Sequence, residues 1–425
     1  MTATPTGRLG AAAYTGADAH LAATDAFLAA AYPGDDGRPQ PVHTVYVPAD
    51  AYTAELPAEW GRRATELLAA HGGTEKLCAE LGLSAELTGA VAPRVDAKLA
   101  SGPIEDLRLD FEDGYGDRGG EVEDADAVRA ATTVARSVAD GTAPRWIGLR
   151  FKCLEAATRA RGIRTLDLFL STLLDHGGLP DGLVITLPKV STVSQVEAMV
   201  TLCAEYERAA GLPAGRLRFE VQVETPQLIV GADGTAPVAA AIAAGDGRVS
   251  ALHYGTFDYS AALGVSAAYQ SPAHPAADFA KQLMQVAAAG TGVHLSDGST
   301  NVLPTGDAEA VHAAWRLHHD LVRRSLERAY YQGWDMHPGH LPTRYVATFA
   351  FYREGFPAAA ARLAAYLGSV ESGIMDEPAT ARALARYLLR GIGCGAVGAE
   401  EATAATGVDV ARLEQLARPR WEPTA

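Results

Sequence analysis

Eight short segments rich in β-branched and aromatic residues recur between residues 43 and 336, and longer stretches with helical periodicity separate them. This alternation is typical of parallel strands joined by crossover helices. Eight such units favour a TIM (β/α)8 barrel over the main competitor, a doubly wound open sheet. The predicted strands are 43–48, 107–111, 145–151, 183–187, 217–223, 249–254, 292–295 and 333–336. The sequence therefore predicts an α/β protein built on one barrel.

The flanks of the barrel are predicted to be helical. A chain of 425 residues has room for about three average domains, but one barrel uses about 250 residues or more. We therefore divide the chain into an N-terminal helical segment (1–40, with a helix at 17–32), the barrel (41–340) and a helical C-terminal extension (341–425). Helices at 357–368, 378–391 and 399–417 are predicted within the extension, with no strand between them.

The charge balance excludes two classes of partner. Lys and Arg number 36 and Asp and Glu number 51, so the formal net charge is −15. A protein this acidic is a poor ligand for nucleic acid or for an anionic membrane surface. No stretch of about 18 apolar residues occurs without a charge, so no membrane span is expected. The expected partners are small molecules.

The cysteines and the N-terminus favour a cytoplasmic location. The four cysteines are Cys78, Cys153, Cys203 and Cys394, and none forms a CxxC pair. A disulfide framework or a zinc knuckle is therefore not expected, and a reducing compartment fits better. The N-terminus lacks a basic stretch followed by an apolar one, so no signal peptide is predicted.

Polar residues follow the predicted strands at the end where a barrel carries its active site. Each of them alone is more often a helix cap or a solvated loop residue. As a set they indicate a site, because all of the strands end at the same face of the barrel. The candidates are Glu112 and Asp113 after strand 2, Arg150 on strand 3, Lys189 after strand 4, Glu224 after strand 5, Asp258 after strand 6 and Asp297 after strand 7.

Glu224 and Asp258 follow adjacent predicted strands and are the candidate metal ligands. Two carboxylates facing one cavity repel each other unless a cation lies between them. Oxygen ligands without a nearby His or Cys favour Mg²⁺ or Mn²⁺. Arg150 offers a planar fork for a carboxylate or an oxyanion. Lys189 offers a point charge or, if desolvated, an amine nucleophile.

The segments that carry these residues resemble those of the HpcH/HpaI aldolase and citrate lyase β-subunit-like family, in the malate synthase superfamily. The resemblance spans about residues 43–341 in family order. The matching pieces are YVPAD at 46–50, LDFEDGYGD at 109–117, IGLRF at 147–151, LPKV at 187–190, VQVETP at 221–226, LHYGTFDYSAALG at 252–264, LSDGS at 295–299 and GWDMHPGHL at 333–341.

The resemblance implies a role for each candidate. Glu224 and Asp258 would bind Mg²⁺, and Arg150 would bind and polarise an oxo-acid substrate. The acidic turn at Glu112 and Asp113 would hold metal-bound water or the basic side chains. By the same resemblance Lys189 matches the lysine of the LPK segment, Asp297 matches a strand-7 aspartate that contributes to the substrate site, and the chain forms a homo-oligomer.

One segment of the extension is similar to the malate synthase segment MEDAATA, which supplies the catalytic carboxylate of that enzyme. Here residues 375–381 read MDEPATA, with the order of the acidic pair reversed. Asp376 or Glu377 is therefore the candidate general base. The alternative, that one of them caps a helix beginning at Pro378, stays open.

The leading hypothesis is a Mg²⁺-dependent carbon–carbon lyase or aldolase that acts on a small oxo- or hydroxy acid, or on its CoA thioester. The second is a malate-synthase-like Claisen condensation of an acyl-CoA with an oxo acid. The third is a Schiff-base aldolase that uses Lys189 or Lys152. The non-enzymatic alternative is a barrel that only binds a metabolite.

Overall fold

The structure is a computed structural model that describes residues 7–368 and 377–418. Within these ranges the chain forms eight strands and sixteen α-helices. The strands are β1 (His43–Pro48), β2 (Asp106–Asp110), β3 (Trp146–Arg150), β4 (Leu183–Leu187), β5 (Phe219–Val223), β6 (Val249–Tyr254), β7 (His294–Ser296) and β8 (Gly333–Asp335). The helices are α1 (Ala11–Ala31), α2 (Leu56–Ala70), α3 (Gly73–Glu80), α4 (Ala85–Ser101), α5 (Gly120–Ala139), α6 (Arg159–Asp175), α7 (Val193–Ala210), α8 (Pro226–Ile229), α9 (Pro237–Ala244), α10 (Thr256–Ala262), α11 (Pro275–Ala288), α12 (Ala308–Glu327), α13 (Leu341–Gly368), α14 (Pro378–Gly393), α15 (Ala399–Thr406) and α16 (Val410–Ala417).

The strands form one parallel sheet that closes into the predicted barrel. Neighbours follow the order β7-β6-β5-β4-β3-β2-β1-β8, and all of the ladders are parallel. An isolated parallel bridge between Ser296 and Gln332 joins the two edges of the sheet. The prediction of a TIM barrel with a helical extension is therefore confirmed, and the competing open sheet is not.

Alternation along β2 separates the two faces of the barrel wall. Leu107 and Leu109 are buried on one face, and successive side chains on a strand point to opposite faces. Arg108, on the other face, reaches Glu220 on β5, three strands away, with Nη2 3.0 Å from Oε2. Only the barrel interior allows this contact. The interior of this barrel is therefore polar, and the apolar residues lie between the strands and the helices.

The flanking helices differ in extent from their predictions. Helix α1 is longer than the predicted 17–32 at its start, and every residue in it from Ala11 to Ala30 is exposed. Helix α13 begins at Leu341 and carries Pro357 in its interior, whereas the prediction starts at 357. Its first ten residues are all buried, so they lack the one-sided periodicity that marks a surface helix.

The predicted helix 399–417 is two helices. Gly407, with φ at +75°, ends α15, and the side chain of Asp409 caps α16 by accepting the N–H of Arg412 at 2.8 Å. A left-handed residue cannot continue an α-helix, and glycine adopts this conformation at little cost. No helix in the described ranges is both long and apolar enough to cross a membrane.

A buried carboxylate ties the end of the barrel to the helical extension. Asp335 of β8 accepts from His43 of β1 at 2.9 Å, from His318 of α12 at 2.9 Å and from Nη2 of Arg344 of α13 at 2.8 Å. The side chain of Asp335 is fully buried. Although burial opposes it, the charge of Arg344 holds the pKa of Asp335 well below its usual value.

We expect Asp335→Asn to lower the free energy of unfolding by about 3–5 kcal/mol, because it leaves the guanidinium of Arg344 buried without a counter-charge. Urea denaturation followed by circular dichroism measures the change. Asp320→Asn is the matched control, since Asp320 lies on α12 with a side chain 78% exposed. A loss for Asp335→Asn no larger than for the control would contradict the assignment.

Candidate active site

The ammonium of Lys189 is the centre of the candidate site. Its Nζ lies 2.8 Å from Oε1 of Glu112, 2.6 Å from Oδ2 of Asp113 and 2.9 Å from Oδ2 of Asp258. The backbone N–H of Lys189 donates to Oε1 of Glu224 at 2.7 Å. Residues that follow β2, β4, β5 and β6 therefore meet at one point, as their positions after the strands predict.

The backbone of Lys189 is in an unusual conformation. Its φ is +49°, in the left-handed region that few residues other than glycine adopt. In this conformation its N–H binds Glu224 while its side chain reaches the carboxylates of Glu112, Asp113 and Asp258. Such outliers cluster at functional sites, where the surroundings hold them in place.

Gly255 allows Glu224 to lie against the end of β6. A Cβ added at Gly255 would lie 2.5 Å from Cβ of Glu224 and 2.7 Å from its Oε2. These distances are too short for any real Cβ contact. The glycine is therefore needed for close approach of the backbone, and it fixes the position of the carboxylate.

Arg150 is held rigidly beside this cluster. Its Nε and Nη2 donate to the two oxygens of Asp110, both at 2.7 Å, and Asp110 ends β2. Its guanidinium carbon lies 4.8 Å from the centroid of the Tyr46 ring and 5.6 Å from that of Trp334. A bidentate pair of this kind is short, strong and directional.

The remaining nitrogen of Arg150, Nη1, has longer contacts than the two that bind Asp110. Nη1 lies 3.4 Å from Oε1 of Gln222 and 3.6 Å from Oε2 of Glu112. Burial alone would lower the pKa of Arg150, but the charge of Asp110 raises it above the usual value, so the group is a fixed cation. The Nη1 edge is therefore the part of Arg150 that is best placed to donate to a further anionic oxygen.

Negative charge exceeds positive charge at the site. Asp110, Glu112, Asp113, Glu224 and Asp258 stand against Arg150 and Lys189, five carboxylates against two cations. Burial raises the pKa of Glu224 to about 7, and the charges of Glu112 and Asp258 add to that effect. Burial likewise raises the pKa of Glu112.

The same excess of carboxylates changes the pKa of Lys189. Burial would lower the pKa of Lys189, but the charge of Glu224 and the bonds to Asp113 and Glu112 raise it above its usual value. The amine is therefore protonated at neutral pH and acts as a point charge. Burial opposes a low pKa for Asp113, but its bond to Lys189 outweighs burial and lowers it.

The donor set fits a hard divalent cation. Glu224 and Asp258 offer carboxylate oxygens, which Mg²⁺ and Mn²⁺ prefer. The raised pKa of Glu224 reports a buried carboxylate whose charge the two basic side chains do not fully compensate. A divalent cation bound there would compensate the remaining negative charge of Glu224.

A family model matches residues 21–421 and is described as Domain of unknown function (DUF6986). The chain belongs to the DUF6986 family. No curated protein matches the sequence of the DUF6986 chain.

Among solved structures, the DUF6986 chain is similar to three that differ in activity. Haloferax volcanii malate synthase, in a magnesium and glyoxylate complex, has 15% identity and a TM-score of 0.47, over 89% of this chain and 98% of its own. Citrate lyase β subunit from M. tuberculosis, with oxaloacetate and magnesium, has 15% identity and a TM-score of 0.42, over 74% and 98%. An HpcH/HpaI aldolase/citrate lyase family protein from Burkholderia cenocepacia J2315 has 16% identity and a TM-score of 0.40, over 74% and 94%. These are the protein groups that the sequence motifs resemble, but at such scores the likeness does not bear on what the DUF6986 chain binds or catalyses.

Two residues of the DUF6986 chain that were predicted to act in the site, Asp297 and Lys152, make their contacts away from Lys189. Asp297 accepts from Lys281 at 2.9 Å and from Ser325 at 2.5 Å, on the side of α11 and α12. Lys152, the alternative Schiff-base lysine, donates to Glu123 of α5 at 2.7 Å. Substrate binding by Asp297 stays a prediction.

The general base of the DUF6986 chain, Asp376 or Glu377, likewise stays a prediction. Asp376 lies outside the described residues. Glu377 is exposed and precedes α14, with Pro378 in the first turn as predicted. Within the described residues its side chain makes no capping hydrogen bond, and its carbonyl accepts the N–H groups of Thr380 and Ala381.

A second cluster in the DUF6986 chain consists of residue types that can bind a metal ion, but its side chains are already engaged in hydrogen bonds within the fold. Ligand atoms of His318, Asp335 and His340 lie within 4.8 Å of one another. Both oxygens of Asp335 already accept hydrogen bonds, and Arg344 donates to each of them. Nε2 of His340 contacts the carbonyl of Val302 at 3.0 Å. Because Arg344 engages both of its oxygens, Asp335 offers a metal ion no oxygen that is free of a charged partner.

Sequence reasoning missed the residues that orient Arg150 in the DUF6986 barrel. Asp110 is its partner, and Tyr46 and Trp334 lie against it. A signal was available, since polar residues occupy every second position of β2 and of β5 through Glu224. A period of two indicates one face of a strand, here the barrel interior.

We expect Lys189→Met to destabilise the DUF6986 chain by about 1–3 kcal/mol at pH 8, because three carboxylates lose their shared cation. Burial raises the folded-state pKa of Glu112 and brings that of Glu224 to about 7, so both take up protons as the pH falls. The repulsion in the variant, and with it the loss of stability, should therefore be smaller at pH 5 than at pH 8.

Thermal unfolding at both pH values measures this effect. Lys76→Met is the control, since Lys76 is exposed on α3 and lies 3.7 Å from Glu80. Equal melting temperatures for native protein and Lys189→Met at pH 8 would show that the ammonium does not stabilise the cluster.

Proposed function

We propose that this chain is a Mg²⁺-dependent enzyme that cleaves or forms a carbon–carbon bond in a small oxo- or hydroxy acid, or in its CoA thioester. The observation that carries the proposal is the joint placement of Glu224 and Asp258 around Lys189, with Arg150 beside them. The site thus combines oxygen donors for a cation with fixed cations for an anionic substrate.

Glu224 and Asp258 would hold the metal, with Mn²⁺ as the alternative ion. Bound there, the ion would supply a Lewis acid toward the substrate's carbonyl and carboxylate oxygens. Oε1 of Glu224 is engaged by the N–H of Lys189, which leaves Oε2, the oxygen nearest to Gly255, as the freer donor atom.

Arg150 would bind the substrate through its Nη1 edge. Its other two nitrogens are fixed by Asp110, so the guanidinium cannot reorient as charge develops on a substrate oxygen. Preorganised donors of this kind stabilise developing negative charge without a further reorganisation cost. Lys189 would add a second positive charge on the far side of Glu112.

The protonated state of Lys189 supports this role over Schiff-base chemistry. A nucleophilic amine must lose its proton, and the surrounding carboxylates raise the pKa of this one. Proton transfer to and from the substrate is assigned to Asp376 or Glu377, as the resemblance to malate synthase implies.

The test is one activity screen of the full chain. C4–C6 oxo- and hydroxy acids, their CoA thioesters, and acetyl-CoA with glyoxylate are each incubated with Mg²⁺, with Mn²⁺ and with EDTA. Released glyoxylate, pyruvate, acetyl-CoA or CoA is measured. We expect one substrate to turn over only with metal, and Arg150→Lys to lower its kcat/KM by about 10²–10³-fold, because a lysine cannot reproduce the fixed fork.

Several outcomes would contradict the proposal. Full activity in EDTA would show that the reaction needs no metal ion. Trapping of Lys189 by borohydride with pyruvate would support a Schiff base and contradict the proposal. CoA release from acetyl-CoA with glyoxylate would instead identify the reaction as the alternative condensation, which also forms a carbon–carbon bond. No turnover with any substrate would favour a metabolite-binding barrel.

We expect Gly255→Ala to weaken Mn²⁺ binding by about 10–100-fold, since its Cβ would displace the carboxylate of Glu224. Titration of free Mn²⁺ by electron paramagnetic resonance measures this without any substrate. Gly89→Ala on α4 is the matched control, because a Cβ there meets no atom within 4 Å. An unchanged Mn²⁺ affinity in folded Gly255→Ala would exclude Glu224 as a ligand.

A further inference from the structure

A cavity lies at the opposite end of the barrel from the candidate active site. Its volume is about 360 Å³. It is lined by the segment that precedes β1, by His294 at the start of β7, by Tyr331 before β8, and by helices α14 and α16. Because these are the beginnings of parallel strands, the cavity is separate from the residues that follow the strand ends.

Two guanidinium groups dominate one wall of this cavity. Arg386 and Arg390 lie one turn apart on α14 and share one carboxylate, that of Asp35. Nε of Arg386 is 3.8 Å and Nη2 of Arg390 is 3.4 Å from the same oxygen, Oδ2 of Asp35. These distances are longer than the 2.7 Å of the Arg150–Asp110 pair. Nε of Arg386 donates instead to the carbonyl of Ala417 at 2.9 Å, so among the described residues neither guanidinium has a close charged partner.

The charged side chains that line the cavity carry a net charge of +1. Arg38 is paired with Asp36 beside it. Among the described residues, the remaining lining charges are Arg386, Arg390 and the exposed Arg418 against Asp35 and the exposed Glu414. Burial and the charge of Arg390 lower the pKa of Arg386 although Asp35 raises it, which agrees with incomplete compensation. A ligand with a single negative charge would balance the cavity.

The rest of the wall is apolar and aromatic. Val42, Leu389 and Ile392 line it, and the ring of Tyr331 lies under Arg390, with 4.2 Å between the guanidinium carbon and the ring centroid. Burial lowers the pKa of His294 to about 4, so this residue is neutral at neutral pH. Among the described residues, its ring nitrogens have no hydrogen-bond partner.

We propose that this cavity binds a small organic monocarboxylate, with the carboxylate between Arg386 and Arg390 and the apolar body against Leu389, Ile392 and Tyr331. Paired guanidinium groups match a carboxylate fork, and one surplus charge favours a monoanion over phosphate. The neutral ring of His294 is available to a further polar group of the ligand. This inference does not depend on the proposed reaction.

Isothermal titration calorimetry with three compounds tests the class of ligand. Benzoate has the charge and an apolar body, benzyl alcohol has the body alone, and inorganic phosphate has charge alone. We expect benzoate to bind at least about tenfold more tightly than either, because hydrogen bonds between charged groups add to apolar burial. No detectable binding of benzoate, or equal binding of benzyl alcohol or phosphate, would overturn the proposal.

Three variants locate the binding. The double variant Arg386→Met with Arg390→Met should lose benzoate binding by more than tenfold. Gly393→Leu keeps every charge and should also lose it, since Gly393 lines the cavity and a Cβ there meets no atom within 4 Å. Arg412→Met, an exposed arginine on α16 outside the lining, should bind benzoate as the native chain does. Benzoate binding that survives in folded Gly393→Leu would place it elsewhere, including at Arg150, and would overturn the proposal.

Discussion

The buried guanidinium of Arg108 constrains the rest of the barrel. Arg108 lies inside the barrel, where Asp106 binds it from the same strand and Glu220 binds it from β5 across the interior. Leaving such a charge unpaired costs several kcal/mol, so β2 and β5 must face each other in one register. Side chains two and four residues further along the same faces then reach the mouth of the barrel at fixed heights. They are Asp110 on β2, and Gln222 and Glu224 on and after β5.

The candidate site is a continuation of this interior, with a different charge balance. Asp110 fixes two nitrogens of Arg150 and leaves the third edge toward Glu112 and Gln222. Further up, Lys189 is the one ammonium among the carboxylates of Glu112, Asp113 and Asp258. The interior pairs its charges closely, whereas the mouth has more carboxylates than cations. A divalent cation would offset most of this excess, and the fixed guanidinium of Arg150 would give an anionic substrate its partner. This is why we propose metal-assisted chemistry on an oxo acid.

Much of this arrangement was predictable because it follows from strand order. Strand ends in a parallel barrel share one face, so Glu112, Lys189, Glu224 and Asp258 had to converge once eight strands were recognised. The left-handed φ of Lys189 was not predictable, since lysine has no preference for it. Helix α13 was predicted too short because its first turns are buried on all sides, which removes the periodicity on which such predictions depend. The cavity at the other end joins Asp35 to Arg390, residues too far apart in sequence for any local pattern to link them.

The two ends of the barrel carry local charge of opposite sign. The mouth has a surplus of carboxylates, and the cavity beside α14 has a surplus guanidinium. The net charge of −15 describes neither, because buried and half-buried groups respond to neighbours within a few ångströms while distant surface charges are screened by salt. Opposite local signs also separate the ligands. The proposed divalent cation would be attracted to the end with Glu224, and the proposed monocarboxylate to the end with Arg386 and Arg390. Under these two proposals, each end of the barrel would select a ligand of opposite charge to its own.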